Sequence, residues 1–301
     1  MKSYALLVAG ALVLLGATGC SRSGSGDTPP KTADTAPAEK RYPLTGEVVR
    51  VDAANKLLVV QHDEIKGFMP AMTMEFSVST SDLAAAKPGQ RIRGDLIPVK
   101  KGNWRLENIW PDDRPDEAAV AAQAAALRQD TLIRGQSAYR EVGEKIPDFA
   151  LYDQEGRVVQ SARFHGKQVM LNFIFSRCPV ATMCPASTLK MMGTQKLARE
   201  TGVNHIEFVS ITLDPAYDTP AVLKEYAASR GIDTKNFSFL TGPENAIRDL
   251  LTQFGVIAEF DGALLKHTLS TLLIDENGRI IHRADGSAWE PADFVAKMKK
   301  G

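Results

Sequence analysis

The sequence predicts two folded domains, a small all-β barrel followed by an α/β domain. Three observations lead to this prediction. Residues 42–110 contain five short strand-like segments separated by turn signals, residues 140–301 alternate strand-like and helix-like segments, and an alanine-rich stretch lies between them. A chain of 301 residues has room for about two domains of ordinary size.

The composition is that of a globular protein and argues against partners that are attracted by charge. Apolar residues make up 44% of the chain and charged residues 24%. Lys and Arg together number 36, as do Asp and Glu, so the formal net charge is zero. We therefore expect no nucleic-acid partner and no electrostatic attraction to anionic lipid.

The N-terminus predicts export. Residues 1–19 have an early cation at Lys2, a short apolar run and then small residues, which is the pattern of a secretory signal too short to span a bilayer. Cys20 follows directly and resembles the lipobox cysteine of bacterial lipoproteins. The resemblance implies lipidation of Cys20 and a chain anchored to a membrane on its extracytoplasmic side. The alternative is an ordinary signal with an incidental cysteine.

Residues 20–41, rich in Ser, Gly, Pro, Thr and Ala, are predicted to form a flexible tether.

The first domain is predicted over residues 42–110. "TGEVVRVD" and "KLLVVQHD" flank a turn at "AAN", and "MTMEFSV", "QRIRGDLIPV" and "WRLENIW" follow. Five short strands in roughly 70 residues are typical of a small closed barrel of the OB type.

Residues 111–139 are predicted to form a helical linker. The stretch "DDRPDEAAVAAQAAALRQDTLIRG" begins with acids and ends with an arginine and a glycine, which suits the helix dipole and a glycine stop. We expect its Ala/Leu stripe to pack against one of the two domains.

The second domain is predicted over residues 140–301. A strand over residues 169–175 leads into two cysteines. Further strands are predicted at "IEFVSITL" and "FSFLT", a hairpin around "ENG", and helices from Pro185, Pro220, Pro243 and Pro291. Strands that alternate with helices indicate an α/β sheet. A dithiol between the first long strand and the next helix is the thioredoxin-like arrangement.

Cys178 and Cys184 are the pair left for chemistry once Cys20 carries lipid. Cys184 precedes Pro185, and proline favours the first position of a helix. We therefore place Cys184 at a helix N-terminus, where the dipole favours the thiolate, and expect the pair to be accessible. The alternative is two buried structural thiols. Outside the cytoplasm the pair can also persist as a disulfide, although closing a loop of about seven residues constrains the unfolded chain little.

Three motifs in order, "FIFSRCPVATMCP", "SITLDPAYDTP" and "LKHTLSTLLID", resemble the Sco/SenC family of thioredoxin-fold copper proteins. The resemblance implies a copper site made by Cys178, Cys184 and His267. It also implies work on the copper centre of cytochrome c oxidase, or periplasmic thiol reduction. One feature departs from the family pattern, because five residues separate the cysteines where the family has three.

Other interpretations of these residues remain open at this stage. Zinc accepts the same three ligands as copper, and His267 alone could be a core histidine. A thioredoxin-type oxidoreductase would place a proline where His267 stands, and the peroxiredoxin motif is only approximated by "PVATMC". We interpret Asp218-Thr219-Pro220 as a helix cap with proline at the first helical position, with a role for Asp214 beside the dithiol as the alternative.

The first domain contains a thioether cluster. If "MTMEFSV" is a strand, Met72 and Met74 leave the same face, Met69 lies at the approach to it, and His62 ends a neighbouring strand. Two or three thioethers and an imidazole form a soft, neutral site that prefers Cu(I). The alternative is that the methionines fill gaps in the barrel core. The string "HDEIKGFMPAMTMEF" resembles the CusF-type periplasmic copper-binding barrel, which implies His62, Met72 and Met74 as ligands. In place of that family's capping tryptophan this chain has Met69.

Together these features predict an extracytoplasmic protein that captures Cu(I) at the His/Met site and passes it to the Cys/Cys/His site. The predicted recipient is the subunit of cytochrome c oxidase that carries the binuclear copper centre, or another copper protein. Two alternatives stay open, a membrane-tethered thiol–disulfide reductase that acts on the cysteines of a copper site, and copper tolerance by sequestration.

Overall fold

The structure of the protein, a computed structural model, describes residues 39–99, 102–112, 114–135, 138–261 and 264–299. The predicted signal, Cys20 and the tether up to residue 38 lie outside these residues. Within the described ranges, no helix is both long and apolar enough to cross a membrane.

The first domain is a closed five-stranded barrel. Its strands are β1 (Tyr42–Asp52), β2 (Leu57–His62), β3 (Met72–Ser77), β4 (Arg91–Val99) and β5 (Asn103–Pro111), in the order β1-β2-β3-β5-β4. Alternation along each strand turns one set of side chains inward, so that Leu44, Val48, Leu58, Phe76 and Leu96 are buried. The predicted OB-like barrel is confirmed. A short helix between β3 and β4, α1 (Thr80–Ala85), was not predicted.

The linker helix α2 (Arg114–Arg134) packs against the second domain, as its stripe predicted. Its apolar residues Ala124 and Leu127 join the core of that domain. Near its C-terminus, Asp130 accepts hydrogen bonds from Arg140 at 2.6 Å and from Gln253 at 2.8 Å. Since this network is largely buried, α2 is fixed to the domain and is not a free spacer.

The second domain is a thioredoxin-like α/β unit, which confirms the predicted class. Its elements are β6 (Ala150–Tyr152), β7 (Val158–Gln160), β8 (Gln168–Ile174), α3 (Cys184–Glu200), β9 (Ile206–Thr212), α4 (Pro220–Ser229), β10 (Phe237–Leu240), α5 (Glu244–Phe254), β11 (Ala258–Asp261), β12 (Leu264–His267), β13 (Ser270–Ile274), β14 (Ile280–Asp285) and α6 (Pro291–Val295). The main sheet has the order β10-β9-β8-β13-β14. Strands β8, β9 and β10 are parallel to one another, β13 is antiparallel to β8, and β14 is antiparallel to β13. The short hairpins β6–β7 and β11–β12 were not predicted, and α6 is shorter than predicted.

The central strands of the sheet are buried on both faces. Every residue of β8 and β9 is buried. The parallel strands β8 and β9 end at the same edge of the sheet, and the chain after β8 leads directly to Cys178.

The barrel contacts the second domain through two helices and two strand ends. Helix α1 packs against α4, and the ring of Trp110 lies 5.8 Å from that of Tyr152 in an edge-to-face contact. Gly156, in the β6–β7 turn, lies so close to Pro111 that a Cβ atom there would be 2.5 Å from the proline Cγ. The two domains are therefore packed together and not merely connected.

Candidate metal centres

The structure brings Cys178, Cys184 and His267 together from three segments. Cys178 lies in the loop after β8, Cys184 is the first residue of α3, and His267 ends β12. Their two Sγ atoms and one imidazole nitrogen all lie within 4.8 Å of one another. Tetrahedral metal–thiolate bonds of about 2.3 Å place ligand atoms roughly 3.8 Å apart, so the separations suit one shared ion. The five residues between the cysteines therefore do not prevent both Sγ atoms from reaching one shared ion.

The prediction that both cysteines are accessible is wrong for Cys184. Its side chain is 0% exposed, whereas Cys178 is partly exposed. Burial raises the pKa of the Cys184 thiol, against a smaller opposing effect of the Phe175 backbone. Burial therefore disfavours the thiolate that we expected at this helix N-terminus. Cys178 and Cys184 are both free thiols in this structure, and Cys178 is the one that a partner can reach first.

His267 is held in the form that binds metal ions. Its Nδ1 lies 3.0 Å from the carbonyl oxygen of Thr268, and because a carbonyl only accepts, Nδ1 carries the proton. The lone pair of Nε2 then faces the Sγ of Cys184, 3.3 Å away. Burial lowers the pKa of the imidazole, although the bond to the Thr268 carbonyl opposes this shift. The ring also meets Phe175 edge-on, with centroids 5.5 Å apart.

The buried carboxylate of Asp218 supports the loop that carries Cys178. The sequence suggested a different role for this residue. Asp218 is 0% exposed and accepts hydrogen bonds from the backbone N–H of Ser176 at 3.1 Å, from the Thr212 hydroxyl at 2.6 Å and from the Ser176 hydroxyl. Burial raises the pKa of Asp218 to about 6, against the lowering effect of these bonds. The predicted cap before α4 is confirmed at Thr219, which accepts from the backbone N–H of Val222 and precedes Pro220, but Asp218 itself takes no part in the cap.

Asp214, the alternative for a role beside the dithiol, pairs with the residue that precedes Cys178. Its carboxylate is 2.8 Å from the Arg177 guanidinium, which also lies over the ring of Tyr217 at 4.4 Å. The motif "LDPAYDTP" therefore contacts both residues before Cys178, Ser176 through Asp218 and Arg177 through Asp214. Nothing in the motif itself distinguishes this arrangement from a capping role.

In the barrel, strand register aligns the predicted thioethers with the imidazole. Strands β2 and β3 are antiparallel, with His62 opposite Met72 and Val60 opposite Met74. Because Val60 is fully buried, this face of both strands is the barrel interior. Met69 ends a turn whose backbone bonds to Ile65 at 2.9 and 3.1 Å. The cross-strand pairs bring His62, Met72 and Met74 to one end of the barrel face.

The environment of His62 fits a soft metal ion. The residue is 1% exposed, and its Nδ1 donates to the carbonyl of Asp63 at 2.7 Å. Its Nε2 is buried and has no hydrogen-bond partner among the described residues, which is a costly arrangement unless something binds there. Met69 and Met74 are partly buried against the barrel core, as the gap-filling interpretation expects, but Met72 is 46% exposed and does not fill the core.

The remaining histidines lie outside both clusters. His165 and His205 are exposed. His282 is partly buried against Phe294, with ring centroids 4.9 Å apart, and burial lowers its pKa.

These features define a two-domain protein, an OB-type barrel with a thioether–imidazole cluster and a thioredoxin-like domain with a dithiol–imidazole cluster. The chain belongs to the SCO1/SenC family, whose model matches residues 137–301. Residues 41–111 match the model of the copper binding periplasmic protein CusF. Both predicted resemblances are thereby confirmed, and the prediction of copper is confirmed at the level of these families.

Relatives in other organisms match the second domain. A SCO2-like protein of Rickettsia typhi is 33% identical over 156 residues, which cover 49% of this chain and 74% of that protein. The SCO1 protein homolog of Bacillus subtilis is 27% identical over 166 residues, 54% of this chain and 84% of that protein. Among solved structures, a SCO1/SenC family lipoprotein from Bacillus anthracis is 26% identical, with a TM-score of 0.49 over 54% of this chain and 97% of that one.

Proposed function

We propose that this chain binds copper outside the cytoplasm and delivers it to another copper protein. The observation that carries the proposal is the convergence of Cys178, Cys184 and His267 within 4.8 Å, in a chain whose other domain matches a copper-binding family. Two thiolates and an imidazole suit copper on grounds of softness. They suit zinc as well, and the adjoining barrel family is what favours copper.

The barrel captures Cu(I) in this proposal. His62, Met72, Met74 and Met69 offer one imidazole and up to three thioethers, all neutral and soft. The buried Nε2 of His62, which has no other partner among the described residues, supports its role as a ligand. Thioethers also bind without first losing a proton, and they resist the oxidation that threatens thiolates outside the cytoplasm.

The dithiol cluster then receives the ion. When both cysteines bind copper as thiolates, two thiol protons leave and the oxidation state of copper does not change. His267 already presents its unprotonated Nε2 and needs no rearrangement of protons. The partly exposed Cys178 is the first thiol that an incoming or outgoing ligand meets.

The recipient that we propose is the subunit of cytochrome c oxidase that carries the binuclear copper centre, with another extracytoplasmic copper protein as the alternative. Membership of the SCO1/SenC family supports this choice. We further propose that lipidated Cys20 anchors the chain to the membrane, with residues 20–41 as the tether, and that residues 42–110, 111–139 and 140–301 are the barrel, linker and thioredoxin-like domains.

Anaerobic Cu(I) titration of the purified chain, against a chromophoric Cu(I) chelator, tests the proposal. We expect two sites per chain. The double variant Met72→Leu and Met74→Leu removes one site with little change in packing volume, and Cys178→Ser removes the other. His267→Ala should weaken the second site, whereas the exposed His205→Ala should not. A single site that survives the methionine and cysteine changes would refute the two-site proposal.

The alternative function is thiol–disulfide exchange, in which this chain reduces the cysteines of a copper site. The difference in exposure between Cys178 and Cys184 favours it, because exchange needs one accessible attacking thiol and one protected resolving thiol. Measuring the reduction potential of the pair with and without Cu(I) separates the two functions. A potential that copper does not move would favour reductase activity over delivery.

A further inference from the structure

A cavity lies between the barrel and the second domain, away from both metal centres. Its volume is about 130 Å³. The barrel contributes α1, the segment that follows it and the end of β5, and the second domain contributes the β6–β7 turn and the start of α4. The polar and charged residues that line it are Asp82, Lys87, Gln90, Gln154, Glu155 and Lys224.

Asp82 is the unusual member of this group. Its side chain is 8% exposed, and its Oδ2 accepts a hydrogen bond from the Ser79 hydroxyl at 2.7 Å. Its Oδ1 is buried and has no hydrogen-bond partner among the described residues. An ionised carboxylate with an unpaired buried oxygen is costly, whereas a protonated one is much less so.

The charges that face Asp82 make the ionised form still less favourable. Glu107 on β5 and Glu225 on α4 both repel it. Of the cations that line the cavity, Lys224 is bound to Glu155 at 2.7 Å, and Lys87 is exposed in the segment after α1. Neither lysine is bonded to Asp82.

We propose that the contact between the barrel and the thioredoxin-like domain is a proton-sensitive latch, in which α1 stays packed against α4 while the side chain of Asp82 is protonated. When Asp82 ionises, the docked arrangement weakens and the two domains separate more readily about the linker. The proton is taken from and returned to solvent, and no metal takes part.

The direction of the effect follows from burial. Burial raises the pKa of Asp82 from 3.8 to about 6 in the docked structure. The docked state therefore binds the proton more tightly, and docking is favoured at low pH and weakens as pH rises through about 6. If separation restores the ordinary pKa of Asp82, the equilibrium constant for docking falls about tenfold between pH 5 and pH 7. This is an upper limit, because Glu107 belongs to the barrel and continues to raise the pKa of Asp82 after separation.

A cysteine buried at the interface reacts with a thiol reagent only when the two domains separate. Its protection from the reagent therefore measures this equilibrium even when the open state is rare. Ala221, at the start of α4, lines the cavity and is 7% exposed. The test uses the full chain with Ala221→Cys, in a background of Cys178→Ser and Cys184→Ser. The labelling rate at residue 221 is read by peptide mass spectrometry and divided by the rate for an unstructured peptide of the same sequence at each pH. Protection should fall by up to about tenfold between pH 5 and pH 7.

Variants assign the change to Asp82 and to the interface. Asp82→Asn should give protection that no longer depends on pH, and the exposed barrel variant Glu47→Gln should behave as the parent. Glu225→Gln, on the opposite domain, should reduce the pH response because it removes a repelling charge. Gly156→Ala should lower protection at both pH values by pushing Pro111 away.

Two results would overturn the latch. One is protection in the parent chain that stays constant from pH 5 to pH 7. The other is an equal pH response in Asp82→Asn, which would assign the response to a different group. The first result is read in a chain that keeps Asp82, so a folding defect in the Asp82 variant does not affect it. None of these outcomes depends on copper binding, so the delivery function stands or falls separately.

Discussion

The buried carboxylate of Asp218 should make the second domain less stable as the pH rises. Burial raises its folded-state pKa from 3.8 to about 6, so the folded chain binds this proton more tightly than the unfolded chain does. The resulting contribution to stability is fully present below pH 3.8 and is lost as pH rises through about 6. Over that whole range it amounts to about 3 kcal/mol, of which roughly 1 kcal/mol is lost between pH 5 and pH 7.5.

The substitution Asp218→Asn removes the titration and keeps an oxygen that can accept from Ser176. Whatever its fixed effect on stability, the variant should gain roughly 1 kcal/mol relative to the parent chain when the pH changes from 5 to 7.5. Asp82 titrates in both chains, so its contribution cancels from the difference.

Urea unfolding at the two pH values measures this difference, with Trp289 as the reporter. Trp104→Phe and Trp110→Phe, present in both chains, silence the barrel, so that emission reports the second domain alone. A difference in unfolding free energy that stays the same at both pH values would refute the assignment of a raised pKa to Asp218.

Three further predictions concern other parts of the molecule. Gly46→Ala should distort the metal site of the barrel, because a Cβ atom there would lie 2.6 Å from the Gln61 backbone oxygen and 2.7 Å from the His62 Cα. Competition with a Cu(I) chelator should show weaker binding at the barrel site alone. Unchanged affinity at that site would contradict this prediction. In the fully reduced chain, iodoacetamide should modify Cys178 at least about tenfold faster than the buried Cys184, and equal rates by peptide mass spectrometry would refute the assigned order of access. Arg140→Ala should destabilise the docking of α2 by about 2 kcal/mol, since it leaves the buried Gln253 side-chain oxygen without its donor, and amide exchange in α2 should rise accordingly.

The sequence predicted those parts of the fold in which local pattern and tertiary packing agree. The five barrel strands, α2 to α5 and the main sheet all follow from apolar alternation, proline at helix starts and glycine stops. Helix α1 and the β11–β12 hairpin were missed because each is at most six residues long and carries little periodic signal. The missed hairpin matters for the site, since β12 ends at His267 and sets where its ring lies.

The electrostatics of the site could not be predicted from local sequence. Proximity to a helix N-terminus and to Pro185 suggested an accessible thiolate at Cys184, but its exposure depends on residues distant in sequence, such as Phe175 and the core beneath α3. Asp218 shows the same limitation, since its partners Ser176 and Thr212 come from two different strand ends. Local motifs identify which residue types are available, and only the packed fold decides which of them are desolvated.

The two candidate centres also differ in how binding is coupled to protons, and this sets the direction in which copper should move. The barrel offers an imidazole with an unprotonated, buried Nε2 and neutral thioethers, so an ion binds there without displacing a proton. At the dithiol each cysteine must lose its proton before it becomes a thiolate ligand, and the anionic ligands then hold a cation more strongly than neutral ones. The transfer proposed above, from the barrel to the dithiol, would therefore exchange weak neutral ligands for strong anionic ones and release protons to solvent. The barrel suits capture because binding there is simple and readily reversed, and the dithiol suits retention until a recipient with comparable thiolate ligands reaches Cys178.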